Sequence, residues 1–571
     1  KFVSLQSPLP YRMDEWYWNP SRAIPSASGD VDPITEFPFF TFLYADPHAH
    51  MFALPLTVLG LGWAVSWMLS ADERKRLGLA AKAAGLIAAG LILGALRPTN
   101  TWDYPVYLAI GVLATLTAPF LRERRWTWSA AIEAALTTGG LLIAFAALYA
   151  PYTQWNLQAY GDVDIWGGSR TSLRAYLTVH GVFLFFTAAW MVWETVAWMA
   201  STPISALARL RPYLIAIMAA AILFAALVLF GAAEGVRAVL VALPLMVWAA
   251  VLFFRPNWPL AKRLVLAMVI LGLALTLVVE IVVLRGDIGR MNTVFKFYLQ
   301  VWTLFAISAA AGWFWSLADA PAWHPSARTV WTVGGAALVA GALLFPLTAT
   351  PAKIRDRMSA DAPHSLDGLA FMPYSTYADM GRDLHLDSDA RMIAWLQDNV
   401  EGSPVIVEAH TEQYRWGART AIYTGLPAVL GWSWHQQQQR AVDSTPVLER
   451  AAEVADFYTR YSVAEAQAFL HKYGVRYIIV GEMERAYYEE MQPCFPAADS
   501  FGVYCDMAGR PLVTKPPLVG ADECLPLDPQ LPEGALRCPT HGLEKFQTMA
   551  AHGILREAYR DGDTVVYEVL R

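Results

Sequence analysis

Hydrophobic residues do not alternate with polar ones along the first two thirds of this chain. They gather into unbroken runs long enough to cross about 30 Å of hydrocarbon as helices. Ten runs stand out, at roughly 51–70, 78–96, 104–121, 129–150, 176–199, 212–231, 236–254, 264–284, 297–316 and 329–349. Gly and Pro interrupt several of them, which membrane helices tolerate. After Thr350 the pattern changes and charge rises. Ser388 to Val400 is amphipathic, with Ile393, Leu396 and Val400 on one face of a helix. Pro404 to Ala409 reads as a short buried strand. Ser462-Val-Ala-Glu465 is a capping box opening a helix that runs to Tyr473 and closes at Gly474. Val475 to Val480 is a second strand and Thr564 to Leu570 a third. Helices alternating with strands predict a small α/β domain with a partly parallel sheet.

The predicted fold class is therefore a polytopic α-helical membrane protein of about ten transmembrane helices, followed by an extracytoplasmic α/β domain. The expected divisions are a loop segment at 1–50, the helical domain at 51–350 and the outer domain at 351–571, the last interrupted by an insertion at about 490–540. Composition agrees. Of 571 residues, 56% are hydrophobic and 16% charged, wrong for a soluble globular protein. Mean hydropathy is +0.34. The net charge of −6 carries no nucleic-acid footprint. The chain starts at Lys1 without a signal peptide, and its first 49 residues are loop-like and Pro-rich, which reads as a fragment or a processed product.

The loops between the runs set an expected orientation. One alternate set carries Arg74-Lys75-Arg76, Arg122, Arg124, Arg125, Arg209, Arg211, Arg255, Lys262, Arg263 and Arg328. The positive-inside rule assigns that set to the cytoplasm. Ten spans then leave residues 1–49 and 351–571 together on the outer side of the cell membrane. Cysteine usage points the same way, because Cys494, Cys505, Cys524 and Cys538 all fall in the insertion. They read as two disulfides in an oxidising compartment, with 494–505 plus 524–538 the simplest of three connectivities; free thiols or a zinc site are the alternatives.

Five segments fall on the outer side in this scheme, and they are rich in Trp, Tyr, carboxylates and Arg/Lys. The first holds Glu36 and Asp46-Pro47-His48-Ala49-His50, beside Asp14 to Trp18 and Arg22. The second holds Arg97, Asn100, Trp102, Asp103 and Tyr104. The third has Trp155, Asp162, Asp164, Trp166 and Arg170, and the fourth Glu234 and Arg237. The fifth carries Arg285, Asp287, Arg290, Asn292, Lys296 and Tyr298. His180 and Glu280 sit near the outer ends of their spans, and Glu133 and Glu194 near the inner ends. His180 and Glu280 suit a cavity lining, and each of the four also suits a helix–helix hydrogen bond or a snorkelling side chain.

Such a surface fits an anionic, sugar-bearing lipid. Arg290 and Lys296 are candidates to hold phosphate. Glu36 and Asp46 are candidate catalytic carboxylates that could deprotonate an acceptor hydroxyl. Asp46, His48 and His50 could instead bind a divalent metal, Mg or Mn, or simply cap the first span. Asn100, Trp102 and Asp103, with Glu408, Tyr414 and His435 from the stretch after the first outer-domain strand, are candidates to line the sugar or acceptor site. That stretch also reads as an ordinary loop held by its tryptophans. No nucleotide-binding Gly-rich loop, nucleophile elbow or catalytic-triad spacing is present.

ITEFPFFTFLYADPHAHMFALP, RPTNTWDYPVY, MNTVFKFYLQVW, TGLPAVLGWSWH and YGVRYIIVGEMERAYY resemble the YYY-domain proteins, multi-span membrane proteins of bacteria and archaea. The resemblance runs from about residue 16 to the C-terminus and is weakest at 490–540. That family is similar, more distantly, to the GT-C glycosyltransferases, which use polyprenyl-phosphate sugars and a carboxylate on the first outer loop. The resemblance implies a membrane glycosyltransferase acting on a lipid-linked sugar; a flippase or transporter of such a lipid, or a non-catalytic membrane subunit, are the alternatives. The chain departs from the family pattern in lacking the triple tyrosine and the spans before it; its nearest match is Tyr487-Tyr488. The resemblance thus implies that a catalytic acid lies upstream of Lys1, or that a separate N-terminal chain or another membrane subunit completes the protein.

Overall fold

A computed structural model describes residues 14–27, 30–45, 47–156, 162–285, 288–379, 382–411, 413, 415–438, 443–488, 492–496, 502–505, 511–512, 525–526, 536–538 and 542–570. The chain divides into two compact units, one ending at Asp356 and the other beginning at Arg357.

The first unit is a helical bundle. A short helix α1 (Pro38–Tyr44) precedes α2 (Ala49–Leu69), α3 (Leu79–Thr99), α4 (Tyr104–Glu123) and α5 (Trp128–Leu148), which pack together. Next come α6 (Leu173–Ser201), α7 (Leu214–Ala233), α8 (Val239–Phe253), α9 (Leu260–Ile281), α10 (Arg290–Asp319) and α11 (Pro325–Arg357). Among the described residues nine helices are long and apolar enough to cross a membrane. α7 buries none of its residues although leucine, isoleucine and phenylalanine surround it. A helix apolar all round and packed on little protein is a lipid-facing one. Where α3 meets α5, Gly90 allows near backbone contact, since a Cβ there would stand 2.8 Å from the Ala144 carbonyl carbon.

The run at 236–254 differs from the expectation. It forms only the 15-residue α8, about 22 Å long at 1.5 Å per residue. It nevertheless joins the two ends of the bundle. Before it, the Glu234 carbonyl accepts from Arg170, near the start of α6. After it, Arg255 donates to Glu194 in the last third of α6 at 3.1 Å, and Lys262 joins the same carboxylate. Among the described residues the chain therefore traverses the bundle ten times. Glu194 and Glu133, the latter bonded to Arg122 at 2.7 and 2.9 Å, mark the end rich in Arg and Lys.

At the opposite end β1 (Val163–Ile165) pairs antiparallel with β2 (Val282–Leu284), tying the loop before α6 to the loop before α10. The N-terminal segment folds onto this end through stacked rings. Tyr17 and Phe40 lie 4.6 Å apart, and Lys353 from the last turns of α11 stands 4.6 Å from the Tyr17 ring and 4.4 Å from that of Tyr44. The segment from Tyr17 to Tyr44 and the end of α11 thus share one end of the bundle.

The second unit holds a four-stranded sheet in the order β5-β6-β4-β3, built from β3 (Val405–Val407), β4 (Val475–Val480), β5 (Leu555–Asp561) and β6 (Thr564–Val569). β3 and β4 run parallel, whereas β6 is antiparallel to both β4 and β5. Helices α12 (Leu386–Asn399), α13 (Arg419–Thr424), α14 (Thr445–Thr459), α15 (Val463–Tyr473), α16 (Glu482–Tyr488) and α17 (Glu544–Ala551) complete it. The Ser462 hydroxyl accepts from the Glu465 amide, the capping box read from sequence. The expected insertion carries a separate five-stranded antiparallel sheet, in which Cys494 faces Tyr504 on one side and Leu536 on the other. The expected disulfides fall on Cys524 and on the side chains of Cys494, Cys505 and Cys538, all outside what the structure describes.

Candidate functional site

The first three turns of α10 organise the loop-rich end of the bundle. Gly289 precedes them with φ +56°, a left-handed conformation that glycine adopts without strain. From there α10 touches two other segments of that end, the N-terminal one and the turn between α3 and α4. The Ile34 amide donates to the Met291 carbonyl at 3.3 Å. The Phe295 ring meets His50 edge-on, with centroids 4.7 Å apart. The Lys296 ammonium stands 5.9 Å from the Trp102 ring, and the Gln300 amide donates to buried Asp103.

Arg290 lies in a closed network. Its guanidinium donates to Glu280 and to the Thr171 hydroxyl, each at 2.8 Å, and Thr171 in turn bonds Glu280 through its amide at 3.0 Å. Arg290 is 4% exposed and Glu280 0%. A buried pair with its remaining hydrogen bonds filled fixes geometry, so Arg290 locks the loop before α10 to α9. Glu280, expected near a cavity, is spent on this lock. His180, also expected there, is buried among Tyr176, Tyr298 and Phe305, with ring centroids 5.1, 4.7 and 5.6 Å away.

Glu36 and His50 come together, Oε2 to Nε2 at 3.6 Å. Both are largely shielded, at 12% exposure each. The His48 ring centroid is 5.8 Å from that of His50, and His48 itself is exposed. Asp46 lies outside the described residues, as do Asp287 and Tyr414. Among the described residues no three His, Cys, Asp or Glu side chains form a metal-binding group, and the Glu36–His50 pair alone gives two donors.

A cavity of about 1140 Å³ opens beside Glu36. One wall is the N-terminal segment at Trp16, Asn19 and Phe37; the others are α6, α10 at Tyr298 and Trp302, and α11 from Ala337 to Thr348. Polar and charged groups, Glu36, Asn19, Thr35, Ser172 and Arg174, come from the loop-rich end, while Val179, Val182, Phe183, Leu338 and Leu344 continue along the helices. The result is an apolar trough with a charged mouth. Sequence reading found Glu36 but missed Arg174, Trp302 and the trough, because their nearness comes from α6 meeting α10 and α11, which lie far along the chain.

Asp103 sits in the turn between α3 and α4, bonded to Asn100 and Gln300, with Lys296 as its nearby charge. Burial dominates and pushes its pKa up from 3.8 to about 7. A carboxyl raised in the folded state adds stability that is full below pH 3.8 and is lost as pH climbs through about 7. Asp103→Asn is therefore expected to be stabilising by roughly 1–2 kcal/mol at pH 5 and by roughly 3–4 kcal/mol at pH 9. Thermal unfolding of both proteins in detergent at the two pH values checks this; a constant difference would contradict it.

In the second unit Glu408 lies buried at the end of β3, where its oxygens accept from the Thr420 and Ala421 amides at 2.8 and 2.9 Å. Arg419 beside it is fully buried and bonds Asp389 at 2.7 Å and Glu484 at 3.0 and 3.1 Å. Glu408 thus serves the local fold of the loop. His435 packs against Trp432, ring centroids 5.5 Å apart. These contacts lie within the second unit.

A family model described as Uncharacterized membrane protein (DUF2298) matches residues 3–305. No curated protein matches the chain. Among solved structures, the Archaeoglobus fulgidus oligosaccharyltransferase tethered by a disulfide to an acceptor peptide containing the NVT sequon is similar at 12% identity. That match covers 87% of this chain and 59% of the other, with a TM-score of 0.30. The apo form of the same enzyme gives 11% identity, 90% and 62% coverage and a TM-score of 0.31. The chain spans less than two thirds of the length of those proteins, and likenesses this loose say nothing of its activity.

Proposed function

We propose that this chain, which belongs to the family described as Uncharacterized membrane protein (DUF2298), is a membrane glycosyltransferase that moves a sugar from a polyprenyl-phosphate donor to an acceptor on the outer face of the cell membrane. One observation carries the reading: the cavity that joins Glu36 to an apolar trough between α6, α10 and α11. A site that takes a wholly water-soluble sugar has no use for a trough of valine, leucine and phenylalanine, whereas a substrate with a long hydrocarbon tail does. The charged mouth gives the phosphate end a place. Arg174 lines it, and Lys296, half a turn before Tyr298, supplies a second cation on the Trp102 side of α10.

In this reading the acceptor hydroxyl attacks the anomeric carbon. The C–O bond to phosphate breaks, the polyprenyl phosphate departs with the electron pair, and Glu36 takes the hydroxyl proton. His50, 3.6 Å from Glu36, holds that carboxylate in place. Trp102, under Lys296, offers an aromatic face to a sugar ring. Asp46 and His48 stay candidates beside this pair, with a divalent ion as their shared ligand. Tyr414 and His435 stay candidates for acceptor binding. The outer-face assignment follows from the Arg and Lys gathered at the other end of the bundle. The units at 51–350 and 351–571 would divide the labour between lipid binding and acceptor binding.

The test is turnover of a radiolabelled polyprenyl-phosphate hexose by purified full-length protein in detergent. A Cβ added at Gly341, in the trough wall, meets nothing within 4 Å. Gly341→Trp is therefore expected to fold normally, fill the trough and raise the donor KM about tenfold, equivalent to 1.4 kcal/mol of lost binding. No turnover with any lipid-linked sugar would overturn the reading, and an unchanged KM would remove the trough from it.

A further inference from the structure

In the second unit, beside the Ser462 capping box, α14, α15 and α17 border an open cavity of about 290 Å³. Its floor is Lys545, 1% exposed. Glycine seats this lysine. Gly542 lies so close to the carbonyl groups of Tyr458 and Thr459 that a Cβ would collide with them, and this contact presses the start of α17 into the corner between α14 and α15. The Lys545 ammonium donates to the Gly542 carbonyl at 2.8 Å, and the rings of Phe546 and Phe457 stand 4.3 and 5.2 Å from it.

The carboxylates around the cavity are already engaged. Arg460 pairs with Asp456 at 2.9 Å and with Glu465 at 3.6 Å, and Lys472 pairs with Glu453 at 2.6 Å. Among the described residues no carboxylate forms an ion pair with Lys545. A buried ammonium has three donors, and here one carbonyl is its hydrogen-bonded acceptor. Burying a charge without a counter-ion is costly, and burial accordingly lowers the Lys545 pKa to about 7. The Arg460 Nε, buried at the same cavity, also has no acceptor. Phe457 and Phe469, stacked 4.4 Å apart, supply an apolar wall.

We propose that this cavity is a binding site for a small organic anion, whose carboxylate or phosphate group meets Lys545 and Arg460 and whose apolar body lies on Phe457 and Phe469. An arriving anion supplies the counter-ion that Lys545 lacks, so binding draws a proton onto the amine when the pH is above its free value. The titratable groups that line the cavity with Lys545 are Arg460, Asp456 and Glu453 of the α14 side, and Glu465 and Lys472 of α15.

Isothermal titration of the full-length protein in detergent with benzoate, and separately with inorganic phosphate, tests the site. Benzoate is expected to bind more tightly than phosphate, with proton uptake at pH 8 visible as a dependence of the heat on buffer ionisation. Lys545→Met, near in size and apolar, is expected to keep the fold and weaken benzoate binding at least about tenfold. Ala468→Trp, at an exposed lining position, is expected to weaken it while leaving Lys545 intact. Benzoate binding that is undetectable at millimolar concentration, or equal in Lys545→Met, overturns the proposal. If phosphate binds as tightly as benzoate, the apolar wall plays no part and the proposed ligand class is wrong.

Discussion

Glu36→Gln is expected to lower sugar transfer from a polyprenyl-phosphate donor by roughly 10²- to 10⁴-fold, the usual worth of a positioned general base. Glutamine keeps the size and hydrogen-bonding shape of the side chain but cannot take the acceptor proton. The carboxylate is 12% exposed and lines the mouth of the trough, so loss of its charge removes no core packing. Thermal stability should therefore barely change while kcat falls. His50→Gln is expected to cost less, about tenfold, because the imidazole acts on Glu36 and not on the acceptor. Initial rates with saturating donor, alongside melting curves, separate the two effects. A Glu36→Gln protein retaining a third or more of normal kcat would show that the base is another residue, and Asp46 would then be the first to replace.

The membrane part was legible because length and composition suffice there. Nine of ten expected runs became long helices, and the tenth fell short at Val239–Phe253 because Glu234-Gly235-Val236-Arg237-Ala238 turns back on itself before the helix starts. Glycine in the left-handed region at Gly235 makes that turn, and periodicity does not report it. The strands at 475–480 and 564–569 are where the apolar runs put them, yet the edge strand Leu555–Asp561, which pairs with the second of them, was missed, since L-R-E-A-Y-R-D has too few apolar residues to announce a strand. That hairpin edge is solvated, and antiparallel edges need no hydrophobic pattern. Among the candidate site residues, Glu36 with His50 and Lys296 with Trp102 proved to be neighbours. Their juxtaposition required α10 to contact two segments more than 190 residues upstream, as Gln300 and Asp103 illustrate. Arg290 and Glu408 looked identical to those residues in sequence. Only their partners, Glu280 in one case and the Thr420 and Ala421 amides in the other, give them structural duties.

Arg419→Met is expected to destabilise the second unit by roughly 3–5 kcal/mol, the cost of stranding buried charges when one partner is removed. Three carboxylates converge on this guanidinium: Asp389 at 2.7 Å, Glu484 at 3.0 Å and Glu408 at 3.8 Å. Burial works against its charge, but the three acids together hold its pKa well above the ordinary arginine value. Their own positions differ. Burial pushes Glu408 up despite Arg419 and two backbone amides. Glu484 is buried too, yet Arg419 and the Ala409 and Gly481 amides bring it below the usual range. In the native protein Glu484 thus contributes stability that is present above pH 4.5 and fades as pH falls through its lower folded value. Without Arg419 that sign reverses, because burial alone then governs and the folded acids hold protons more tightly than the unfolded ones. The variant's deficit should therefore be largest near pH 8 and shrink toward pH 5 as the stranded carboxylates become neutral. Limited proteolysis of residues 357–571 across that pH range, in full-length protein, reads the deficit directly. Arg419→Lys restores one charge but not the fork that reaches Asp389 and Glu484 together, and is expected to recover about half of the loss. A deficit independent of pH would mean that lost packing, and not uncompensated charge, is what Arg419 prevents.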